Sequence, residues 1–174
     1  MVNIATGTII LPVQSAKLVG AHITSGDPAQ GAAIDGGNAG WTLLFDATTA
    51  EAAVWQFRMP VNWASGFTAK IQYTMATATA DDVDFEVYVM AVSDGDSADV
   101  DTPSFATATS GTATVPGTAG YLDEISIDCS SNLDGLAAGD LVILRLARDA
   151  DDATNDDATG DAEVRAFSIE YTTS

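Results

Sequence analysis

The chain has 174 residues, with 25 acidic and 6 basic side chains and a formal net charge of −19. A field of that sign repels phosphate backbones and anionic lipid headgroups, which argues against a nucleic-acid or membrane partner. Hydrophobic residues make up 47%, enough for the core of one domain spanning 1–174, yet no apolar run approaches the ~20 residues needed to cross a bilayer, and the opening MVNIATGTII lacks the basic-then-apolar order of a secretory signal.

Period-two alternation recurs along the chain, and helix signals are nearly absent. TIILPV (Thr8–Val13) predicts a first strand in which Pro12 marks an edge or an end, so that residues 1–13 form an N-terminal arm or edge strand. Thr24–Gly40 is rich in glycine and turn formers and reads as a loop. WTLLFD places Trp41, Leu43 and Phe45 on one face, and AVWQFRMP does the same with Ala53, Trp55, Phe57 and Met59. FTAKIQYTMA turns Phe67, Ala69, Ile71, Tyr73 and Met75 inward and Thr68, Lys70, Gln72 and Thr74 outward. DVDFEVYVMAV turns Val83, Phe85, Val87, Val89 and Ala91 inward, with Asp82, Asp84 and Glu86 outward. Ser93–Gly120 is a long polar connection that Phe105 could anchor to a surface. Three strands follow: DEISIDC (Ile125, Ile127, Cys129 inward), DLVILRLAR (Val142, Leu144, Leu146) and EVRAFSIEY, in which Arg165 falls out of register with Phe167, Ile169 and Tyr171. About eight strands, each with one wet face, predict an all-β, two-sheet antiparallel β-sandwich. A jelly-roll arrangement leads and an immunoglobulin-like one follows.

The stretch RDADDATNDDATGDAEV (148–164) crowds Asp149, Asp151, Asp152, Asp156 and Asp157 together. An EF-hand loop needs oxygen ligands at positions 1, 3 and 5 and Gly at 6. Counted from Asp149, positions 5 and 6 are Ala153 and Thr154; counted from Asp152, position 3 is Thr154 and Asp157 replaces the glycine. Neither frame fits, and these five aspartates are only weak candidates for an irregular calcium site. A solvated hairpin loop is the plainer expectation, because Asp, Asn and Gly are what turns favour. No other metal or cofactor is expected.

His22 is the only histidine and Cys129 the only cysteine, so neither a His-rich metal centre nor an intrachain disulfide can form. Serine-hydrolase, zinc-protease, P-loop and dinucleotide motifs are missing from the sequence. With 25 acids, any pair of carboxylates lacks specificity as a sugar-hydrolysing dyad. No catalytic residue is assigned, and the chain is expected not to be an enzyme. Cys129, in alternation with Ile125 and Ile127, reads as a buried, inert thiol. Arg145 and Arg148 stand three apart on one strand; Arg148 would brace the acidic hairpin through Asp149, Asp161 or Glu163, or else form a salt bridge between subunits. Trp63 is either core or an exposed platform of the kind that stacks on sugars. Abundant Asp with only Lys17 and Lys70 as lysines suits a salt-loving organism, or simply an acidic protein.

The order FDATTAEAAVWQFRMPVNWASGFTAKIQYTMATA, DDVDFEVYVMAVSDGD, GTAGYLDEISI, LAAGDLVILRLARDAD and TGDAEVRAFSIEYT, from about Trp41 to the C-terminus, resembles small β-sandwich virion proteins of tailed viruses. The last two pieces are the most characteristic. The resemblance implies a virion structural protein: a capsid decoration (cement) protein that stabilises the viral head as a homo-oligomer, often a trimer, against the major capsid protein, after assembly in the host cytoplasm. The alternatives are a tail or fibre component, or a carbohydrate-binding module for host recognition.

Overall fold

Alternation as strict as that of Phe67–Met75 commits each strand to one dry face, and two such faces must meet. The computed structural model describes residues 5–18, 28–31, 40–77 and 81–174. Residues 1–4 of the expected arm, His22 and most of the Thr24–Gly40 loop lie outside the described residues. In chain order the strands are β1 (Thr6–Leu11), β2 (Lys17–Leu18), β3 (Ala29–Gly31), β4 (Thr42–Phe45), β5 (Glu51–Arg58), β6 (Trp63–Met75), β7 (Asp82–Val92), β8 (Thr109–Thr114), β9 (Asp123–Asp128), β10 (Leu141–Arg148) and β11 (Ala162–Thr173). A single 3-10 turn, Val13–Ser15, separates β1 from β2 and is the only helix among the described residues.

The strands form two antiparallel sheets. One has the order β3-β4-β11-β6-β9, with β1 also pairing β11; the other has the order β2-β5-β10-β7-β8. From β4 to β11 the chain changes sheet at every connection except β7 to β8, which pair directly. That gives the interleaved four-strand sets β4-β11-β6-β9 and β5-β10-β7-β8, which is the jelly-roll arrangement. Tyr73 and Phe45 meet Phe85 across the gap at ring-centroid distances of 5.5 and 6.1 Å, and Trp55 meets Phe167 at 5.0 Å. Phe67, Ala69, Ile71, Tyr73 and Met75 are all buried, as their alternation predicts.

Four expectations need correction. The Thr8–Val13 strand ends at Leu11, because Pro12 turns the chain into the 3-10 turn that buries Val13. Trp41 does not join Leu43 and Phe45 inside: β4 begins at Thr42, and Trp41 is 53% exposed. The polar connection 93–120 contains β8, whose inward positions are small. A Cβ on Gly111 would stand 2.7 Å from Ile127 Cγ1, so a larger side chain there would push the strand off the core. The second sheet's outer face is not uniformly wet, since Met90 and Ile143 on it are buried. The misfit at Arg165 is real: a register shift between Val164 and Ala166 marks a bulge that lets both Val164 and Phe167 face the core.

Candidate functional site

The acidic hairpin between β10 and β11 is not simply a wet loop. Arg148 at the end of β10 is fully buried and holds Asp156 with two parallel hydrogen bonds, Nε to Oδ2 at 2.8 Å and Nη2 to Oδ1 at 2.7 Å. Its remaining N–H groups donate to the backbone carbonyls of Ala158, Gly160 and Phe45. The partner is therefore Asp156, eight residues on, and not Asp149, Asp161 or Glu163. The burial of Arg148 leaves it out of reach of another subunit. The loop is also stitched to the start of β7. Asp84 N–H donates to Asp156 Oδ2, Asp82 N–H donates to Asp157 Oδ1, and Asp149 N–H donates to the Asp84 carbonyl. Asp152 accepts from Thr154 N–H and Asn155 Nδ2. The carboxylates of Asp152, Asp156 and Asp157 thus face different partners, and no group of three or more His, Cys, Asp or Glu side chains among the described residues could hold a metal ion. Desolvation lifts the Asp149 carboxyl above its usual range, with nearby acids adding to the effect.

Beside this latch, Asp84 is buried and accepts a hydrogen bond from Thr112 Oγ1 of β8 at 2.8 Å. Burial pushes its carboxyl up to about 6, against the lowering effect of the Thr112 bond and with help from Glu86, Asp149 and Asp156. Cys129 is buried between the sheets, and desolvation lifts its thiol to about 12, an inert value. Trp63 is half-buried against the core and donates Nε1–H to the Gly66 carbonyl, so it is packing and not a free platform.

A cleft lies over the outer face of the second sheet. Strand registers align Lys17 with Val54, Val54 with Arg145, and Arg145 with Tyr88, one row across β2, β5, β10 and β7. The adjoining row is Gln56, Ile143 and Met90. These side chains face outward because their neighbours Trp55, Leu144, Leu146, Val87 and Val89 face the core. The connection from β7 to β8 returns over this face. Ser93 and Asp96 close one turn, Asp99 and Thr102 another, and Ala106 N–H then donates to the Val89 carbonyl. Phe105 stands edge-on to Tyr88 at 6.3 Å, the anchor its isolation in a polar segment predicts. Residues 100–105 on one side and Ser15 and Lys17 on the other enclose a cleft of about 1020 Å³, floored by Val54, Gln56, Ile143 and Arg145. The Arg145 guanidinium lies 4.4 Å from the centre of the Tyr88 ring, and Tyr88 Oη–H donates to Glu86. Desolvation lowers the Arg145 pKa and raises that of Tyr88, which stays neutral. Sequence reasoning picked out Phe105 and Arg145 singly. The row that joins them to Lys17 is a product of strand register and left no local signal.

No protein-family model and no curated protein matches the sequence. Among solved structures, the chain is similar to a family 35 carbohydrate-binding module from Cellvibrio japonicus Abf62, at 11% identity and a TM-score of 0.49 over 97% of this chain and 99% of that one. A family 35 carbohydrate-binding module from Clostridium thermocellum gives 13% identity and 0.49, covering 94% and 97%. A module specific for non-crystalline cellulose gives 11% and 0.44, covering 92% and 87%. These are loose likenesses of sandwich architecture.

Proposed function

We propose that this protein is a non-catalytic binding module and that the cleft over the second sheet holds a carbohydrate chain. The observation that carries the reading is the construction of the cleft. Its volume is at the upper end of the ~300–1,000 Å³ of ordinary small-molecule pockets, and its floor is a paired sheet. The backbone groups of that floor are already paired within the ladder, so an extended peptide would find no strand edge to join. Sugar hydroxyls need only side-chain partners, and Gln56, Thr102, Ser15, Lys17 and Arg145 supply them around apolar Val54 and Ile143. Among the described residues Asp101 is the single carboxylate lining the cleft, whereas glycoside hydrolysis uses two. Trp55 borders the cleft, so ligand entry should shift its fluorescence. The test is titration with a panel of soluble polysaccharides, followed by that emission and by calorimetry. Saturable binding lost in I143D supports the reading; a flat response to every glycan at millimolar concentration overturns it.

A second reading, a capsid decoration or tail-associated virion protein acting as a homo-oligomer with the major capsid protein, rests on the resemblance carried by LAAGDLVILRLARDAD and TGDAEVRAFSIEYT. Those pieces contain β10 and β11 and the Arg148–Asp156 latch between them. Recovery of the protein in purified icosahedral particles, and a trimer mass by light scattering, are its tests; a monomer that never sediments with particles counts against it. The two readings are compatible in a virion appendage that binds host glycans.

A further inference from the structure

We infer, resting on the carbohydrate reading, that the glycan is an unbranched chain several units long, and that it runs out of the cleft along β5 and β10 into a second subsite at Arg58. On this face the outward positions follow one another without a break: Val54, Gln56 and Arg58 on β5, and Arg145, Ile143 and Leu141 on β10. Val54, Gln56, Ile143 and Arg145 floor the cleft. Arg58 and Leu141 make the next row, which β7 extends with Val92. These three, with Ser93, Asp94 and Gly139, line a hollow of about 450 Å³. Cleft and hollow are therefore adjoining stretches of one track, with no outward residue of either strand between them. From the row of Val54 to the row of Arg58 the strands advance about 14 Å, which is longer than a disaccharide.

The hollow has the mixed surface that a sugar ring needs. Half-buried Leu141 and Val92 offer apolar contact to its C–H face. Arg58 donates Nε–H to the Gly139 carbonyl at 2.9 Å, which lays its guanidinium against the hollow and leaves both Nη groups without a hydrogen-bond partner among the described residues. The exposed Asp94 carboxylate supplies acceptors beside that fork of donors, and neighbouring ring hydroxyls use both kinds. The surrounding backbone is already fixed. Gly139 N–H donates to the Met59 carbonyl, Met59 N–H donates to the Asp140 carbonyl, and Asp140 Oδ1 accepts from Ser93 Oγ. A chain entering the hollow therefore has little of the protein left to order.

The experiment titrates the full chain by calorimetry with cello-, xylo- and malto-oligosaccharides, from disaccharide to hexasaccharide, and with their parent polymers. In the series that binds, the hexasaccharide should bind at least about tenfold more tightly than the disaccharide. R58A should remove most of that gain and leave disaccharide binding as it was. Arg58 is exposed, so the fold should tolerate the change, and an unchanged urea midpoint checks that it does. Equal affinity along the series overturns the extended track and leaves the carbohydrate reading intact. Equal weakening of disaccharide and hexasaccharide in R58A overturns the second subsite, because Arg58 would then act on the same sugars as the cleft. Binding of no oligosaccharide and no polymer overturns both readings.

Discussion

Two connections in this sandwich look alike in sequence and end up differently. Residues 93–108 and 149–161 are both rich in Asp, Ala and Thr, and both join strands of the core. The first is held to the outer face of the second sheet by an aromatic contact, Phe105 on Tyr88, and walls a cleft. The second is held from inside by a buried cation, Arg148, which draws Asp156, Ala158 and Gly160 out of water. The anchor therefore decides the fate of a polar loop more than its composition does. An apolar anchor leaves the loop a separable wall, while a buried ion pair makes it part of the core. The second arrangement is the more brittle, since removing one partner strands the other charge in a dry site.

The largest effect expected from that difference is in R148M. It removes five hydrogen bonds and leaves Asp156 buried without its partner, and should cost about 3–5 kcal/mol in urea unfolding. R148M/D156L should recover part of that loss. If the double variant is no more stable than R148M alone, the stranded charge is not what destabilises the loop, and the contrast between the anchors fails.

Asp84 ties the acidic connection to the sheet, bonded through its backbone to Asp156 and through its side chain to Thr112 of β8. Its carboxyl titrates near 6 in the folded protein, above its ordinary value. The folded state therefore binds more protons than the unfolded one between about pH 4 and 6, so stability should fall as pH rises through that window and level off above it. Each unit of such a shift corresponds to about 1.4 kcal/mol, giving a change of about 1–3 kcal/mol. D84N keeps an acceptor for Thr112 and removes the charge. It should be more stable than the parent near pH 7.5 and equal to it near pH 4. A parent curve that climbs with pH across this window would mean that Asp84 is already ionised and stabilised by partners.

Much of this frame was legible because the strands that make it have one dry face and one wet one. Phe67–Met75 and Val83–Val89 declare their orientation residue by residue, and Arg165 announced its bulge by breaking step. β8 was hidden because its inward positions must be small to clear Ile127, and small residues in a Thr-Ser-Gly stretch look like loop. The latch was hidden for a different reason. Any of several aspartates could answer Arg148, and only the path of the loop over β7 selects Asp156. The cleft was least legible of all, since Lys17, Val54, Tyr88 and Arg145 share a row through pairings between strands far apart in sequence.

The aromatic anchor should prove the weaker of the two. F105A removes one edge-on ring pair from a partly exposed site and should cost about 0.5–1.5 kcal/mol. Its effect on glycan affinity should be the larger, because residues 100–104 lose the contact that keeps them over Val54 and Ile143. Calorimetry and urea unfolding on the same variant separate the two. A variant that binds glycan like the parent would show that the wall does not contribute to the cleft, whatever its stability.

The smallest effect is expected from calcium. The oxygens of Asp156 are taken by Arg148, Asp157 accepts from the Asp82 backbone, and Asp152 caps its own turn. A cation entering the loop would have to break one of these sets, and the Arg148 set is the costliest to break because it is dry. What remains, Asp149 and Asp151, falls short of the six to eight oxygens that calcium collects. Thermal unfolding with calcium or with EDTA, at matched ionic strength, should therefore give melting temperatures within about 1 °C of each other, well under the shift that ~1 kcal/mol would produce. Matching the ionic strength matters on a chain of net charge −19, since any salt relieves repulsion and a divalent one does so at lower concentration. Magnesium serves as the control for that screening. A rise of several degrees with calcium and not with magnesium would mean that the loop trades its Arg148 anchor for a metal cage, and the acidic connection would then be a switchable element and no longer part of the core.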